Sequence, residues 1–214
     1  MKPTGDSITI AIVGHGRSPE GKGWGKRIDS CEYVIRMWNW YWQDEADYGT
    51  KYDYGVLEDP QGILRNFEKF NQHEPTCGYV VSQLNHRIMP NFPPKTILVD
   101  QQPWTEIGVQ LGGMGATGRL QFTRGTVAAC WAIESARRGD RIILVGFDNV
   151  YERTALSIEK GFAAKWQKDP TNYWSGYTEG RRYGNHDFAI ENPVLQHLAA
   201  KHGVTVVYSQ DAWQ

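Results

Sequence analysis

Runs of apolar, β-branched residues alternate along the chain with segments whose apolar residues recur at helical spacing. The first run, residues 8–13, has the length and the isoleucine and valine content of a buried strand. The same criterion predicts further strands at residues 33–37, 56–57, 78–84, 96–100, 142–145 and 204–208.

Three helices are predicted from their start and stop signals. The first spans residues 59–70, with Asp59 as N-cap and Pro60 at its first position. The second spans residues 126–138 and ends in two arginines before Gly139, an ending that favours a helix terminus. The third begins at Asn192-Pro193 and stops at Gly203, with Val194, Leu195 and Leu198 facing inward.

The alternation of strands and helices predicts an α/β fold, a Rossmann-like and mostly parallel sheet flanked by helices on both faces. The length of 214 residues suits one domain, 1–214, with a sizeable core, and is short for two. In such sheets ligands bind at the carboxyl ends of the strands. Gly14 to Gly16 directly follow the first strand and are expected there.

Composition and charge bear on the binding partners and the cellular compartment of the protein. The formal net charge of −1 gives no overall attraction to nucleic acid or to an anionic membrane. The N-terminus does not resemble a signal peptide, and no apolar run reaches the length of a membrane span. The three cysteines are widely separated and form no C-x-x-C pair. These features predict a reduced, cytoplasmic protein without a membrane span.

A glycine-spaced loop follows the first strand, in the sequence V-G-H-G-R-S-P-E-G-K-G-W-G-K-R-I-D-S-C-E-Y-V-I-R-M. Glycines after a strand let backbone N–H groups approach a phosphate that side chains would otherwise block. The dinucleotide-binding fingerprint would need a third glycine where Pro19 stands, so that motif is not met.

The loop resembles the large donor-binding motif of the sialyltransferases, glycosyltransferase family 29. The family has asparagine where His15 and Trp38 stand, and Asn39 follows one position later. The resemblance implies that Gly14, His15, Gly16, Arg36 and Asn39 bind the donor. It rests on matches at Gly14, Gly16, Ser18, Gly21, Gly23, Gly25, Ile28, Asp29, Ser30, Val34 and Arg36.

A second segment, Thr123-Arg124-Gly125 with the following helix and a strand ending in V-G-F-D, resembles the family's small motif. A Thr/Gly turn at a helix N-terminus offers N–H groups to a phosphate or carboxylate. The resemblance places Thr123, Arg124, Gly125 and Thr126 on the sugar side of the donor. Arg124 stands where the family has a small hydroxyl residue. Three interpretations are open: Arg124 pairs with an anion, the transferred sugar has no carboxylate, or Arg124 is an exposed arginine on an ordinary capped helix.

The third segment, His186 to Glu191, resembles the family's very small motif, H-x4-E. The resemblance implies that His186 is the general base that deprotonates the acceptor hydroxyl. Histidine suits this task because its unperturbed pKa lies near neutrality. Glu191 and Asp148, the last residue of the V-G-F-D segment, are assigned supporting roles.

Residues 150–185 are rich in aromatic residues and glycine and are predicted to form a lid over the donor. Tyr173, in the pair Tyr173-Trp174, is the nearest match to the family's aromatic motif and is expected to bond the leaving phosphate. Arg181 and Arg182 are the alternative, and a solvated surface loop is another.

The resemblance covers nearly the whole chain in motif order and implies a sialyltransferase-like variant of the GT-A fold. It implies an inverting transfer from a CMP-linked nucleotide-sugar donor, such as CMP-sialic acid, to a glycan or other hydroxyl acceptor. No D-x-D motif is present, so no metal or other cofactor is expected. Relatives without an anchor or disulfide are expected in bacteria and phages.

Two other functions stay open at this stage. The first is transfer from another nucleotide sugar to a hydroxymethylated base in phage DNA, because Lys22, Lys26 and Arg27 form a local basic cluster. The second is a non-catalytic nucleotide-binding module, which the departures at His15 and Arg124 suggest.

Overall fold

The computed structural model describes residues 6–37, 43–57, 73–82, 93–113, 120–148 and 188–214. Within these ranges, seven strands form one sheet in which every strand runs parallel to its neighbours. The strands are β1 Thr9–Val13, β2 Tyr33–Met37, β3 Tyr54–Val56, β4 Gly78–Ser82, β5 Thr96–Val99, β6 Arg141–Val145 and β7 Thr205–Tyr208. The helices are α1 Gly25–Asp29, α2 Glu45–Tyr48, α3 Gln102–Gln110, α4 Arg124–Ser135, α5 Phe188–His202 and α6 Ser209–Ala212.

The order of strands across the sheet is β5-β4-β3-β2-β1-β6-β7. From β1 the chain steps outward through β2, β3, β4 and β5, and then returns to the other side of β1 for β6 and β7. The direction of progression therefore reverses between β1 and β6. A reversal of this kind opens a crevice at the carboxyl ends of the two strands, where ligands of open α/β sheets bind.

Both faces of the sheet are covered, which explains why the strands are apolar at successive positions. Ile10 and Ile12 of β1 point into a core shared with α4 and α5, whereas Ala11 and Val13 point into a second core on the α1 side. Each fully buried aliphatic side chain contributes about 1.5–3 kcal/mol relative to exposure. The predicted α/β fold with a parallel, Rossmann-like sheet is confirmed.

The predicted strands agree with the structure apart from small shifts at their ends, of which the largest is at β3. The strand expected at residues 56–57 is Tyr54–Val56, because its ladder pairs Tyr54 with Ile35 and continues to Val56 opposite Met37. The segment around Gly55 gave no apolar run long enough to show this start.

The predicted end of α4 is wrong. The helix stops at Ser135, and Ala136 has an extended backbone with ψ of 164°. Arg137 donates its N–H to Oδ2 of Asp140 at 2.7 Å, so the two arginines belong to a turn rather than to the last turn of the helix. Gly139, with φ of +94°, lies in this turn.

The predicted start of α5 is also wrong, because the helix is already formed at Phe188 and Pro193 lies inside it. A proline near the start of a helix removes only one hydrogen bond of the ladder, and the Asn-Pro pair therefore did not mark the boundary. The expected burial of Val194, Leu195 and Leu198 and the end before Gly203 are confirmed.

Four of the described helices, α1, α2, α3 and α6, were not predicted from the sequence, and α3 is the longest of them. Helix α3 begins next to Asp100, whose carboxylate accepts the N–H of Gln102 at 2.9 Å, and has a proline in its first turn. Both are recognised helix start signals that the prediction missed. The predicted helix at residues 59–70 and the predicted lid at 150–185 lie outside the described residues.

Candidate functional site

The crevice between β1 and β6 is bordered by two loops that bond to each other. Gly14 donates its N–H to the carbonyl of Val145 at 2.8 Å, and Gly16 donates to the carbonyl of Gly146 at 2.8 Å. A Cβ at Gly16 would lie 2.6 Å from Cγ of Asp148 and 2.6 Å from the carbonyl oxygen of Gly146. Glycine is thus required here because the two loops approach closely.

Asp148 occupies a position where an anion would be expected. Its Oδ2 accepts the backbone N–H groups of Arg17 at 2.6 Å and Ser18 at 3.0 Å. Consecutive amides that converge in this way form a concave anion-binding site. The amides of Arg17 and Ser18, and that of Gly16 in the loop expected to hold a phosphate, therefore bond within the protein.

Two residues that sequence analysis did not single out hold the loop from the other side. Gln43 donates from Nε2 to the carbonyl of Gly14 at 2.7 Å, and Tyr48 donates its hydroxyl to the carbonyl of Gly16 at 2.8 Å. Burial raises the pKa of the Tyr48 phenol, so this hydroxyl stays a donor. Both residues lie beyond the recognisable motif, and nothing in their local sequence signals the contact.

Arg36 lies in β2, opposite Val13 at the end of β1, with its side chain fully buried. Its guanidinium donates from Nη2 to the carbonyl of Tyr48 and from Nε to that of Lys51, each at 2.7 Å. Burial lowers the pKa of Arg36 to about 10, and Asp29, 3.7 Å away, opposes this shift. Arg36 thus fixes the segment that carries Tyr48.

The N-terminus of α4 faces the same edge of the sheet and is joined to the start of α5. Thr123 is the N-cap, and its Oγ1 accepts the N–H of Thr126 at 3.4 Å. The carboxylate of Glu191 accepts the Thr123 N–H at 2.7 Å, the Thr123 hydroxyl at 2.9 Å and the Thr126 hydroxyl at 2.6 Å. Glu191 is fully buried and bonds to this helix start.

Gly125 and Gly14 contact the same aromatic ring. A Cβ at Gly125 would lie 2.9 Å from Cε1 of Phe147, and one at Gly14 would lie 3.3 Å from Cδ2 of that ring. The V-G-F-D segment thus fits between the first loop and the start of α4. The structure brings Gly14, Gly16, Gly125 and Asp148 together, as the motif assignments require.

His15 and Arg124 interact electrostatically across the crevice. Burial, followed by the positive charge of Arg124, lowers the pKa of His15 from 6.5 to about 3. The imidazole is therefore neutral at physiological pH and can share hydrogen bonds without adding charge. The guanidinium and the first amides of α4 provide the positive potential of this side of the crevice.

Three assigned residues, His186, Asn39 and Tyr173, lie outside the described residues. Within the described ranges, no three His, Cys, Asp or Glu side chains are grouped so that they could hold a metal ion. In the same ranges, no helix has both the length and the apolarity needed to cross a bilayer.

The described part of the crevice can bind but lacks an obvious reactive group. The guanidinium of Arg124 and the first amides of α4 can bind negative charge, and the imidazole of His15 is neutral. The hydroxyl protons of Thr123 and Thr126 already bond to Glu191. Thr126 is fully buried, so only the partly exposed Thr123 oxygen can meet a ligand, and there it can only accept a hydrogen bond.

Comparisons with known proteins identify the fold. No protein-family model matches the sequence, and a search of curated proteins finds no match. Among solved structures, a mammalian sialyltransferase matches with a TM-score of 0.51 and 16% sequence identity, over 94% of this chain and 69% of that chain. A second structure, a mammalian sialyltransferase in complex with Gal-beta-1-3GalNAc-ortho-nitrophenol, matches with a TM-score of 0.50, 16% identity and the same coverage. This chain therefore has a sialyltransferase-like fold.

Proposed function

We propose that the protein is a sialyltransferase-like glycosyltransferase. It transfers a sugar from a CMP-linked nucleotide-sugar donor to a hydroxyl group of a glycan, with inversion and without a metal ion. The observation that carries this proposal is the set of bonds from Thr123 and Thr126 to Glu191. These bonds join the small motif at Thr123 to the very small motif at Glu191, beside the glycine loop of the large motif. The three motifs can therefore form one site.

The anionic part of the donor binds at the start of α4. Thr123 caps the helix and Glu191 holds it, which leaves the amides of Arg124 and Gly125 at the positive end of the helix. The guanidinium of Arg124 adds a bidentate partner for a carboxylate or phosphate. Arg124 thus takes over the role for which the family uses a small hydroxyl residue.

His186 acts as the general base in a single displacement. It accepts the proton of the acceptor hydroxyl while the oxygen attacks the anomeric carbon of the donor. The bond from that carbon to the phosphate oxygen breaks, and CMP leaves with the bonding electrons. Inversion follows because the new bond forms opposite the breaking one. The leaving phosphate is assigned to Tyr173, with Arg181 and Arg182 as the alternative.

The acceptor is proposed from a solved neighbour. The structure with Gal-beta-1-3GalNAc-ortho-nitrophenol is a sialyltransferase bound to a glycan, and we extend a sugar acceptor to this chain. The net charge of −1 provides no overall electrostatic attraction to DNA, so DNA is not proposed as the acceptor. A cytoplasmic location also remains a prediction.

A thermal-shift panel of nucleotides and nucleotide sugars, with and without EDTA, tests the donor. A ligand that binds only the folded protein raises its melting temperature by mass action. We expect a shift with CMP and CMP-sugars that EDTA does not alter. A shift with UDP- or GDP-sugars alone would overturn the CMP assignment, and no shift with any nucleotide would favour a different function.

The role of Arg124 is tested by Arg124→Ser, which restores the hydroxyl residue of the family. We expect the affinity for CMP-sialic acid to fall by about tenfold, since a charged hydrogen bond contributes about 1.5–3 kcal/mol. Arg137→Ser is the matched control because Arg137 is exposed in the turn beyond α4. Equal affinities of the two variants would remove Arg124 from the site.

A further inference from the structure

The glycine loop that follows β1 is bonded to the short helix α2 at two places. Tyr48 donates its hydroxyl to the carbonyl of Gly16 at 2.8 Å, near the start of the loop. Asp47, the preceding residue, accepts the amides of Gly21 at 2.7 Å and Gly23 at 2.8 Å on its two carboxylate oxygens, near the end of the loop. Two consecutive side chains of α2 thus hold both ends of the loop.

Helix α2 is itself anchored to the rest of the fold. Arg36 of β2, whose side chain is fully buried, donates from Nη2 to the carbonyl of Tyr48 at 2.7 Å. Directly after α2, the amides of Thr50 and Lys51 donate to the carboxylate of Asp29 at 2.9 Å and 2.8 Å. Tyr48 is therefore held in place by β2, and the segment after it by α1.

The bond from Tyr48 to Gly16 lies in the interior of the protein. Tyr48 is 0% exposed, its ring belongs to the core on the α1 side, and Gly16 is buried. Because the surroundings are buried, water does not readily take the place of the hydroxyl, and a buried carbonyl without a partner is costly. Loss of the hydroxyl therefore favours arrangements in which this part of the loop opens and its carbonyl is hydrated.

We propose that Tyr48 is a positioning residue of the proposed sugar transfer and keeps the glycine loop ordered before the donor binds. This inference rests on the proposed function, in which the loop borders the donor. Tyr48 acts through Gly16, because its own side chain is fully buried and cannot contact a ligand in the crevice. A donor that must first order the loop binds with an affinity reduced in proportion to the fraction of molecules whose loop is already ordered.

The substitution Tyr48→Phe removes the hydroxyl and keeps the buried ring. Because the bound donor orders the loop in every molecule at saturation, kcat should stay within about twofold of the wild type. The KM for CMP-sialic acid and the dissociation constant of CMP, measured by calorimetry, should both rise about tenfold. A loss of stability alone would move neither constant at a temperature well below the melting transition.

Tyr208→Phe is the matched control. Tyr208 is also buried, at 7% exposure, and its hydroxyl donates to Oδ1 of Asn192 at 2.8 Å, outside the glycine loop. This variant should lose stability as well, because it also removes a hydrogen bond, but its KM and kcat should stay within about twofold of the wild type.

Hydrogen exchange of the loop amides measures the order of the loop without activity. In free Tyr48→Phe, the amides of residues 16–23 should exchange about tenfold faster than in the wild type, and CMP should restore their protection. In Tyr208→Phe they should exchange at the wild-type rate.

Asp47→Asn provides a second variant should Tyr48→Phe not fold, because Asp47 is half-exposed and asparagine has the same shape. The carboxamide oxygen can keep only one of the amides of Gly21 and Gly23. The KM for the donor should therefore rise about threefold at unchanged kcat. Asp100→Asn is its control, since Asp100 is an exposed aspartate that accepts a backbone amide outside the loop.

Equal KM values for Tyr48→Phe and Tyr208→Phe, or a fall in the kcat of Tyr48→Phe in place of its donor affinity, would overturn the positioning role while the proposed function stands. Unchanged exchange of the loop amides would overturn it too. If the wild type neither transfers a sugar nor binds any nucleotide, the proposed function fails, and this inference fails with it.

Discussion

The carboxylate of Glu191 accepts the backbone N–H of Thr123 at 2.7 Å and the Thr123 hydroxyl at 2.9 Å, although 68 residues separate them. A fully buried carboxylate at a helix N-terminus is stabilised by the helix dipole and by the bonds it receives. The acidic residue of the third motif thus acts on the helix start of the second. This contact explains why Glu191 lies at the site without a role for it in proton transfer.

Replacing Glu191 with Gln should destabilise the protein. The amide offers one acceptor oxygen to three donors and adds an NH2 group in a buried position. We expect the free energy of unfolding, measured by urea denaturation, to fall by about 1–3 kcal/mol. Glu134→Gln is the control, because Glu134 is exposed on α4 and receives a hydrogen bond from Trp104. Equal losses in the two variants would contradict the role of Glu191.

Replacing Gly16 with Ala should disturb the crevice more than the rest of the protein. The new Cβ would lie 2.6 Å from Asp148 and from a backbone oxygen, and overpacking of this kind costs about 1–3 kcal/mol. Because Asp148 must move, nucleotide binding should be lost as well.

Gly21→Ala separates this steric effect from backbone strain. Gly21 has φ of +72° and no atom within 4 Å of an added Cβ, so alanine there should cost about 1–2 kcal/mol of stability through strain alone. Nucleotide affinity, measured by calorimetry, should be retained. Loss of affinity in Gly21→Ala but not in Gly16→Ala would show that the close loop packing is not what shapes the site.

His15 should make the protein sensitive to mild acid. Because the folded-state pKa of about 3 lies below the ordinary value of 6.5, only the unfolded chain binds a proton between these values. The stability contribution is fully present above pH 6.5 and is lost as the pH falls towards 3, by up to about 1.4 kcal/mol per pH unit. Urea denaturation of the wild type and of His15→Asn between pH 7 and pH 4 measures this difference.

The variant His15→Asn lacks the titrating group, so its stability should fall less steeply with decreasing pH. Parallel profiles for the two proteins would mean that His15 is not held neutral. Arg124→Ser should raise the pKa of His15, as followed by its NMR signals, but not to 6.5, because burial is the larger cause and remains.

The strands and the parallel sheet could be predicted because each buried strand is a short apolar run. The glycines after the first strand indicated a ligand crevice at its carboxyl end, whereas the reversal of strand order between β1 and β6 came from the structure. Helix ends were less predictable, since Arg137 and Pro193 carry signals that hold locally but are overridden by Asp140 and by packing of α5. Local sequence decides only part of such boundaries.

The residues of the site were predictable only where a motif named them. Gln43 and Tyr48 contact the loop through atoms that no spacing rule specifies, and Asp148 was assigned support without its partner amides being known. The motif position of Arg36 was known from the sequence, but its complete burial was not. Long-range hydrogen bonds of this kind depend on the folded backbone and leave no periodic pattern in the sequence.

The most direct measurement of the central claim is sugar transfer from CMP-sialic acid to a glycan acceptor, followed by mass spectrometry of the product in the presence of EDTA. The wild type should form the product, and His186→Ala should lower the rate by about 10²–10⁴-fold while keeping its affinity for the donor. His197→Ala, at an exposed position on α5, should leave the rate unchanged. Full turnover by His186→Ala, or no product from the wild type with any nucleotide sugar, would contradict the account.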